Sequence, residues 1–421
     1  IEDEIPFEVP EGWSWARLRD ICMMSAGKSK STDQIKSEPF DGSYPCFGGN
    51  GVRGYVDEYN QDGTFSIIGR QGALCGNINI ASGKFYATEH AVVTTLFAGI
   101  DFKWSNYILE ALRLNNYATG AAQPGLSVAN ILNVFVPVPS NQEQDRIGSN
   151  VDEFLKIAAV LEQEKIDLQK IVITAKRKIL DLAIHGKLVP QDPNDEPASV
   201  LLERIRVEKE ELIKQGKIKR NKKESVIFKG DDNSYYQDLP ENWQFTSLRE
   251  ITTSLTLNDG DWILSQNMSN IGDVKLLQLG SIGNMVYIDK GFKYLTKDIF
   301  KELSCTEIFS GYLLINRIIS DKMCCCIVPD IDGTIITTVD TCWIAPSNTS
   351  YDIKFLMYQL ASPTFQKEVL LKASGTTRRR ISKNNLINIA LLLPPLAEQK
   401  RIVTAIEEAF SKLDKISEAL A

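Results

Sequence analysis

The chain has 421 residues, 43% of them hydrophobic, and a formal net charge of −7. This length leaves room for two or three domains with substantial apolar cores. The most apolar stretch, residues 389–396, is interrupted by two prolines, so no run approaches the roughly 20 apolar residues of a transmembrane helix. The acidic balance argues against a DNA-binding protein that works alone, but it allows a subunit whose basic residues are concentrated on one face.

The N-terminal region, residues 1–139, has the composition of a first domain with several short strands. Segments rich in β-branched and aromatic residues are separated by glycine-containing turns, which predicts strands at 44–55, 64–68, 77–80 and 91–97. Residues 104–115 predict a helix, and two prolines end the domain. The acidic first residues carry no signal-peptide pattern.

The next segment, residues 140–184, predicts a long coiled-coil helix. Ser140 and Glu143 have the spacing of a capping box, in which hydroxyl and carboxylate each satisfy a free backbone N–H. Apolar residues then recur at alternating steps of four and three, a heptad pattern interrupted at Lys165. The predicted seam includes Ile147, Val151, Phe154, Leu161, Leu168, Val172 and Ile179. At roughly 1.5 Å per residue the helix would be about 66 Å long.

The rest of the central region, up to residue 233, connects this helix to the second half of the chain. Three prolines and a glycine within 185–198 predict an ordered turn, and residues 198–215 predict a shorter amphipathic helix. The basic run at 217–223 is explained equally well as a solvated linker and as a contact with phosphates.

The second half of the chain repeats the first. Residues 9–21 return as 239–251, and the pattern within 119–147 returns within 374–402. This period is far longer than the roughly 20–50 residues of a solenoid repeat, so the repeated unit is a domain. We therefore expect a second, related domain at 234–395.

The terminal segment, residues 396–421, has the same heptad seam as the central helix. Its seam residues are Ile402, Ile406, Leu413 and Ile416. Two helices with matching seams most simply pack on each other, and an antiparallel pairing avoids crowding both domains at one end. We expect this antiparallel coiled coil to separate the two domains and to relate them by a pseudo-twofold axis.

Motifs for catalysis and metal binding are absent from the sequence. Gly27-Lys28-Ser29 lacks the first glycine of a phosphate-binding loop, and there is neither an Asn-Pro-Pro-Tyr/Phe motif nor a Gly-x-Ser-x-Gly elbow. The two histidines, His90 and His185, are assigned structural roles. The eight cysteines lack zinc-site spacing, and Cys324–Cys326 are interpreted as reduced thiols in a buried strand, typical of a cytoplasmic protein. We expect a chain that is not itself an enzyme.

Three features of the sequence form a family pattern: the duplicated Pro-x-x-Trp-x-Trp/Phe segment, residues 182–198, and the two domain ends at 136–144 and 393–403. In these features, and over nearly its whole length, the chain resembles the specificity subunit of a type I restriction–modification system. Within the domains, segments 47–55, 68–73, 88–91 and 120–127 resemble one target-recognition domain, and segments 259–263, 311–316 and 374–380 resemble another.

This resemblance implies an α+β protein with two target-recognition domains, each of which reads one half of a split DNA sequence. The coiled coil would set the spacing between the halves. The implied partners are double-stranded DNA, two methyltransferase subunits that use S-adenosylmethionine, and nuclease–translocase subunits that use ATP and magnesium. The chain itself would bind no cofactor.

Candidate DNA-binding residues are polar or basic side chains on glycine-flanked loops, because such side chains distinguish the edges of base pairs. In the first domain these are Asn50, Arg53, Arg70, Gln71 and Gln123. In the second domain Arg378, Arg379, Arg380 and Lys383 form the densest cationic cluster of the chain, which is difficult to explain by folding alone. Trp13, Trp15 and Trp243 are expected to anchor cores.

Two other functions compete with this interpretation. A structural adaptor that spaces protein partners without touching DNA would explain the repeat, the rod and the acidity, but not the arginine cluster. A nuclease with an unusual site has no motif in its favour.

Overall fold

The computed structural model describes residues 7–72, 74–120, 124–220, 239–376 and 378–420. The chain divides into two compact units, residues 1–164 and 165–421. Both units contain helices and strands, which confirms the predicted α+β class. The finer domain boundaries at 139, 233 and 395 stay a prediction.

The first unit is built on mixed sheets with helices packed against them. Its elements are β1 (Ser14–Arg17), α1 (Leu18–Ile21), β2 (Cys22–Ala26), β3 (Tyr44–Gly48), β4 (Gly51–Val56), β5 (Gln61–Gly69), β6 (Ile78–Ala87), β7 (Ala91–Leu96), α2 (Phe102–Ala111), α3 (Val128–Ile131), β8 (Phe135–Val138) and the first part of α4 (Asn141–Ile184). Six strands form one sheet in the order β2-β7-β5-β6-β3-β4, and β1 pairs antiparallel with β8.

The central strands of this sheet are apolar because both faces are covered. In β7, Ala91, Val92 and Val93 are all buried, and Val92 belongs to the cluster around Trp104 while Val93 belongs to the cluster around Phe85. Continuous apolar runs of this kind are typical of strands buried on two sides. The predicted strand 44–55 is in fact a hairpin, since the turn at Gly49-Asn50 separates β3 from β4.

The second unit begins within α4 and contains smaller sheets with more helices. Its further elements are α5 (Ala198–Lys214), β9 (Gln244–Ser247), α6 (Leu248–Ile251), β10 (Leu257–Asp259), β11 (Val274–Leu277), β12 (Phe292–Leu295), α7 (Lys297–Glu302), β13 (Leu313–Asn316), β14 (Ile318–Ile319), β15 (Cys325–Ile327), β16 (Thr334–Thr337), β17 (Thr341–Ile344), α8 (Ile353–Ala361), α9 (Pro363–Lys372), β18 (Arg379–Arg380), α10 (Lys383–Ile387), β19 (Ala390–Leu393) and α11 (Leu396–Ala419). The sheet orders are β10-β17-β13-β15, β12-β11-β16, β14-β18 and β19-β9.

The repeated sequence motifs make equivalent hydrogen bonds in the two units. The Trp13 indole Nε1 donates to Glu143 Oε2 at 2.9 Å, and the Trp243 Nε1 donates to Glu398 Oε2 at 2.9 Å. Among the described residues, Glu143 therefore does not complete the predicted capping box, because its carboxylate accepts from the indole instead. The repeat encodes a frame that ties the first strand of each unit to the helix that follows its last strand.

The adjacent glutamines complete this frame. Gln144 Oε1 accepts from the Asp101 backbone N–H at 2.8 Å, and its Nε2 donates to the Pro139 carbonyl at 2.9 Å. Gln399 makes the same two bonds, to Asp352 at 2.8 Å and Pro394 at 2.9 Å. Since both glutamines are buried, these bonds satisfy side-chain groups that would otherwise be costly to bury.

Within the second unit, α11 packs antiparallel on the C-terminal part of α4. Lys176 on α4 forms an ion pair with Asp414 and lies 5.2 Å from the ring centroid of Phe410. Farther along the chain, Gln191 donates to Glu398 in the first turn of α11 at 2.6 Å. The residue numbers of the partners on α11 thus fall along α4 and the segment that follows it, which confirms the antiparallel pairing for this part of the helices.

Burial along the seam changes with position. Val172, Ile402 and Ile406 are buried, Ile179 and Leu413 are half-buried, and Ile147 and Val151 are half-buried near the start of α4. Phe154, Leu161 and Leu168 are 70%, 59% and 44% exposed, and Ile416 is 45% exposed. One reason is length, since α11 has 24 residues and α4 has 44.

Most of the cysteines are buried, and the triplet predicted in a buried strand lies at β15. Cys325 and Cys326 are buried in β15, with Cys324 half-buried just before it, and burial raises the pKa of the Cys326 thiol to about 12. Among the described residues, no group of three or more His, Cys, Asp or Glu side chains is placed to hold a metal ion. In the same part of the chain, no helix is both long and apolar enough to cross a membrane.

Candidate nucleic-acid interface

An open cleft of about 460 Å³ in the first unit collects several of the predicted residues. It is lined by the turn between β3 and β4, by residues 71–72 beyond β5 and by His90 between β6 and β7, with the polar side chains Asn50, Arg53, Gln71 and His90. The first three were predicted from their glycine-flanked positions. The sequence alone could not place them together, because only the strand order of the sheet brings the two loops into contact.

Glycines allow the two loops to approach each other. A Cβ atom at Gly69 would lie 2.0 Å from the carbonyl oxygen of Gly49, which no side chain could tolerate. Gly51 has φ +85°, a conformation that glycine adopts without strain. The glycines around this cleft are therefore required by close backbone contact and by turn geometry.

The three predicted side chains in the cleft are exposed but differ in their hydrogen-bond partners. Arg53 is exposed and donates to the Thr32 hydroxyl at 2.9 Å, a neutral partner, and no described carboxylate forms an ion pair with its guanidinium. Asn50 is exposed and accepts from Asn77 Nδ2 at 3.2 Å. Gln71 is exposed, and its backbone pairs with Gly125. The cleft thus offers both a cation and amide groups, the combination that reads phosphates and base edges.

One other predicted residue, Arg70, is not among the described residues that line the cleft. Arg70 is half-buried, and its Nε donates to the Leu126 carbonyl at 3.4 Å while its own carbonyl accepts from the Leu126 N–H at 2.8 Å. Arg70 therefore helps to hold the segment at Leu126 in place. Gln123 lies outside the described residues. His90 was assigned a structural role from the sequence, but its side chain is 39% exposed and lines the cleft.

In the second unit the three consecutive arginines have different environments. Arg380 Nη2 lies 3.0 Å from Asp340 Oδ1, and Arg378 Nη2 lies 3.6 Å from Asp340 Oδ2. Arg379 is exposed and forms no ion pair with the residues that the structure describes. One carboxylate therefore offsets part of the cluster, and Arg379 carries its free charge.

Sequence reasoning missed the buried support of this cluster. Arg317 is 4% exposed, lies 3.2 Å from Asp259 Oδ1 and donates through its backbone N–H to the Asp340 carbonyl at 2.9 Å. Lys383, which was predicted as part of the cluster, is half-buried and donates to Asn258 Oδ1 at 2.5 Å. The sequence has no local pattern for this support, because Asp259, Arg317 and Asp340 lie far apart along the chain.

The basic run after α5 is only partly described. Arg220 makes two bonds to the carboxylate of Glu210, at 3.0 and 2.5 Å, so its charge is compensated within the chain. The lysines at 222 and 223 lie outside the described residues. The contacts of Arg220 favour the linker interpretation for that residue.

A family model for the type I restriction modification DNA specificity domain matches the chain twice, at residues 10–170 and 240–420. The chain belongs to this family. The two matches fall on the two halves of the chain that contain the repeated frame of Trp–Glu and glutamine hydrogen bonds. The membership confirms the resemblance seen in the sequence. The named relatives are specificity subunits, which agrees with the expectation of a non-catalytic chain.

Several curated relatives carry this description. The chain is 47% identical over 140 residues to the type I restriction enzyme EcoprrI specificity subunit of Escherichia coli, covering 32% of this chain and 34% of that protein. It is 31% identical over 378 residues to the EcoAI specificity subunit of the same species, covering 74% of this chain and 62% of the relative. The matches thus span about a third and about three fifths of these two relatives.

Solved structures share the fold at low sequence identity. A chain from a structure concerned with complex assembly and conformational transition of a type I R-M system aligns with a TM-score of 0.64 at 15% identity, covering 99% of this chain and 94% of that one. The HsdS subunit from Thermoanaerobacter tengcongensis aligns with a TM-score of 0.56 at 15% identity, with the same coverage of 99% and 94%.

Proposed function

We propose that the chain reads the two halves of a bipartite DNA target, one half with each unit. The observation that carries the proposal is that the same hydrogen-bonded frame supports two different polar surfaces. In the first unit the surface is the cleft with Asn50, Arg53 and Gln71. In the second it is the arginine cluster around Arg379. A repeated frame with divergent surfaces suits a protein that reads two different sequences at a fixed spacing.

The chain would act as the recognition part of a larger complex. The formal charge of −7 fits a protein whose partners supply further phosphate contacts. We propose as partners two methyltransferase subunits, which would use S-adenosylmethionine, and in the full complex nuclease–translocase subunits, which would use ATP and magnesium. The buried, reduced cysteines fit a cytoplasmic location.

The experiment is methylome sequencing of a host that expresses the chain with its methyltransferase subunit. We expect one methylated motif with two defined halves and an unspecified spacer. Exchanging residues 1–139 for the corresponding domain of a relative should change one half of that motif and leave the other unchanged. A change in both halves would contradict the modular assignment, and a structural adaptor that does not contact DNA would leave the motif unchanged.

A further inference from the structure

Trp262 is the most exposed tryptophan in the part of the second unit that the structure describes, with 69% of its surface accessible. It follows β10, just after Gly260 and Asp261. A buried tryptophan contributes a large apolar surface to a core, whereas an exposed one leaves that surface in water. The neighbouring Ile263 is packed against the small core of β11 and β12, so Ile263 anchors the loop and Trp262 is left outside.

The backbone that carries Trp262 is rigidly held. The Asp261 N–H donates to the Thr337 carbonyl at 2.8 Å, and the Asp261 carbonyl accepts from the Val339 N–H at 2.9 Å. Asp261 Oδ2 also accepts from the Thr306 N–H at 2.8 Å. A Cβ atom at Gly260 would lie 2.5 Å from the Thr337 carbonyl oxygen, so the loop lies directly on this strand end. The indole is therefore presented from a fixed position.

The same strand end anchors the arginine cluster. The Val339 carbonyl accepts from the Arg317 guanidinium, and it lies 3.5 Å from Arg380 Nη2. The next residue, Asp340, holds Arg378 and Arg380. Trp262 thus follows a residue bonded to the same backbone segment, residues 337–340, that also holds Arg317, Arg378 and Arg380. An exposed aromatic ring and an arginine cluster held by one strand end are a combination that binds nucleic acid, in which arginines contact phosphates and aromatic rings stack on bases.

We propose that Trp262 stacks on the DNA of the half-site that the second unit reads, beside a phosphate contacted by Arg379. This inference rests on the proposed function and deepens it, because it assigns the second unit an aromatic contact that adds affinity without adding charge. A protein partner that covers the indole is the competing occupant, and the arginines held by the same strand end favour DNA over it.

The test uses the chain assembled with its methyltransferase subunits and measures binding to a cognate duplex over a series of salt concentrations. Trp262→Ala should weaken binding about 5- to 150-fold at every salt concentration and leave the log–log salt slope unchanged, because no phosphate contact is lost. Trp262→Phe should restore most of the affinity, whereas Trp262→Leu, which is apolar but not aromatic, should not. Val207→Ala removes another exposed apolar side chain, on α5, and serves as the matched control.

The outcomes separate this inference from the function on which it rests. If the wild-type complex binds DNA and Arg379→Ala weakens it while Trp262→Ala does not, the stacking role is overturned and the proposed function stands. If the wild-type complex shows no preference for its cognate duplex, the proposed function itself fails. If Trp262→Ala prevents assembly with the methyltransferase subunits, or if leucine restores binding as well as phenylalanine, the indole contacts protein and the stacking role is equally overturned.

Discussion

The indole N–H of Trp243 donates to the carboxylate of Glu398 across 155 positions of sequence, at 2.9 Å, with both side chains almost completely buried. Burial raises the pKa of the Glu398 carboxyl, and the bonds from Trp243 and Gln191 oppose that rise. The equivalent pair in the first unit, Trp13 and Glu143, has the same length but a glutamate side chain that is 30% exposed. The same Trp–Glu hydrogen bond therefore forms in both units, with a carboxylate that is buried in one and partly exposed in the other.

This difference predicts unequal effects of the same substitution. Trp243→Phe should cost about 1.5–3 kcal/mol in the free energy of unfolding, because it leaves a buried acceptor without its donor. Trp13→Phe should cost less, since water can reach Glu143. Urea unfolding of the two variants, followed by circular dichroism, measures both values. Equal losses would show that burial of the carboxylate does not decide the effect.

The packing of α11 on α4 predicts that two isoleucines of the seam contribute differently to the free energy of unfolding. Ile406 is fully buried, so Ile406→Ala should cost about 2–5 kcal/mol. Ile416 lies on the same seam but is 45% exposed, and Ile416→Ala should change the free energy of unfolding by no more than about 0.5 kcal/mol. Thermal and urea unfolding of the pair test this. A large loss for Ile416→Ala would mean that a further segment covers the end of the seam.

The glycines around the cleft of the first unit predict that alanine is tolerated at one position and destabilises the protein at another. Gly69→Ala would bring its Cβ atom within 2.0 Å of the Gly49 carbonyl oxygen, so the two loops must separate, at a cost of about 1–3 kcal/mol. Gly125→Ala is the control, because the atom nearest to its added Cβ lies 3.8 Å away. Melting temperatures of the two variants should differ by several degrees. If Gly69→Ala and the wild type have the same melting temperature, the close approach of the loops is not required for stability.

Lys209 predicts a pH dependence with a defined sign. Burial lowers the pKa of this lysine to about 8 from the ordinary value of 10.5, and its Nζ donates to the Arg249 carbonyl at 2.8 Å. Between pH 8 and 10.5 the folded protein has released this proton while the unfolded chain still holds it, so folding is favoured progressively as pH rises through that window.

The measurement is urea unfolding of wild type and Lys209→Met across this range of pH. The stability of the wild type relative to the variant should increase from pH 8 towards pH 10.5, because the variant has no proton to release. Lys214→Met, on an exposed position of the same helix, is the matched control. A relative stability that stays flat or falls with rising pH would show that Lys209 keeps its proton on folding.

The arginine cluster predicts different salt effects for neighbouring residues. Arg379→Ala should lower the slope of log affinity against log salt by about one unit and weaken binding to cognate and scrambled duplexes alike, as expected for a lost phosphate contact. Arg380→Ala should affect the slope less, because Asp340 already offsets its charge. Salt titrations of the complex with its methyltransferase subunits test both. Indistinguishable slopes for wild type and both variants would remove the cluster from the DNA interface.

The sequence by itself determined the long-range plan of this protein. The duplicated tryptophan and Glu-Gln motifs predicted two related domains, and the heptads predicted α4 and its pairing with α11, because helical periodicity is a local property of the chain. The α4 bounds, Asn141–Ile184, differ from the predicted 140–184 by a single residue. Asn50, Arg53 and Gln71 could also be identified, since glycine-flanked polar residues mark loops.

Only the tertiary structure decided which of these residues are available to a partner. Asp340 partly neutralises Arg378 and Arg380 but not Arg379, and Arg70 is turned to the Leu126 carbonyl. Likewise Glu143 binds Trp13 instead of capping its own helix. Each of these partners is distant in sequence or set by sheet order. Ion pairs and hydrogen bonds depend on distances of a few ångströms, and only the packed strands fix those distances.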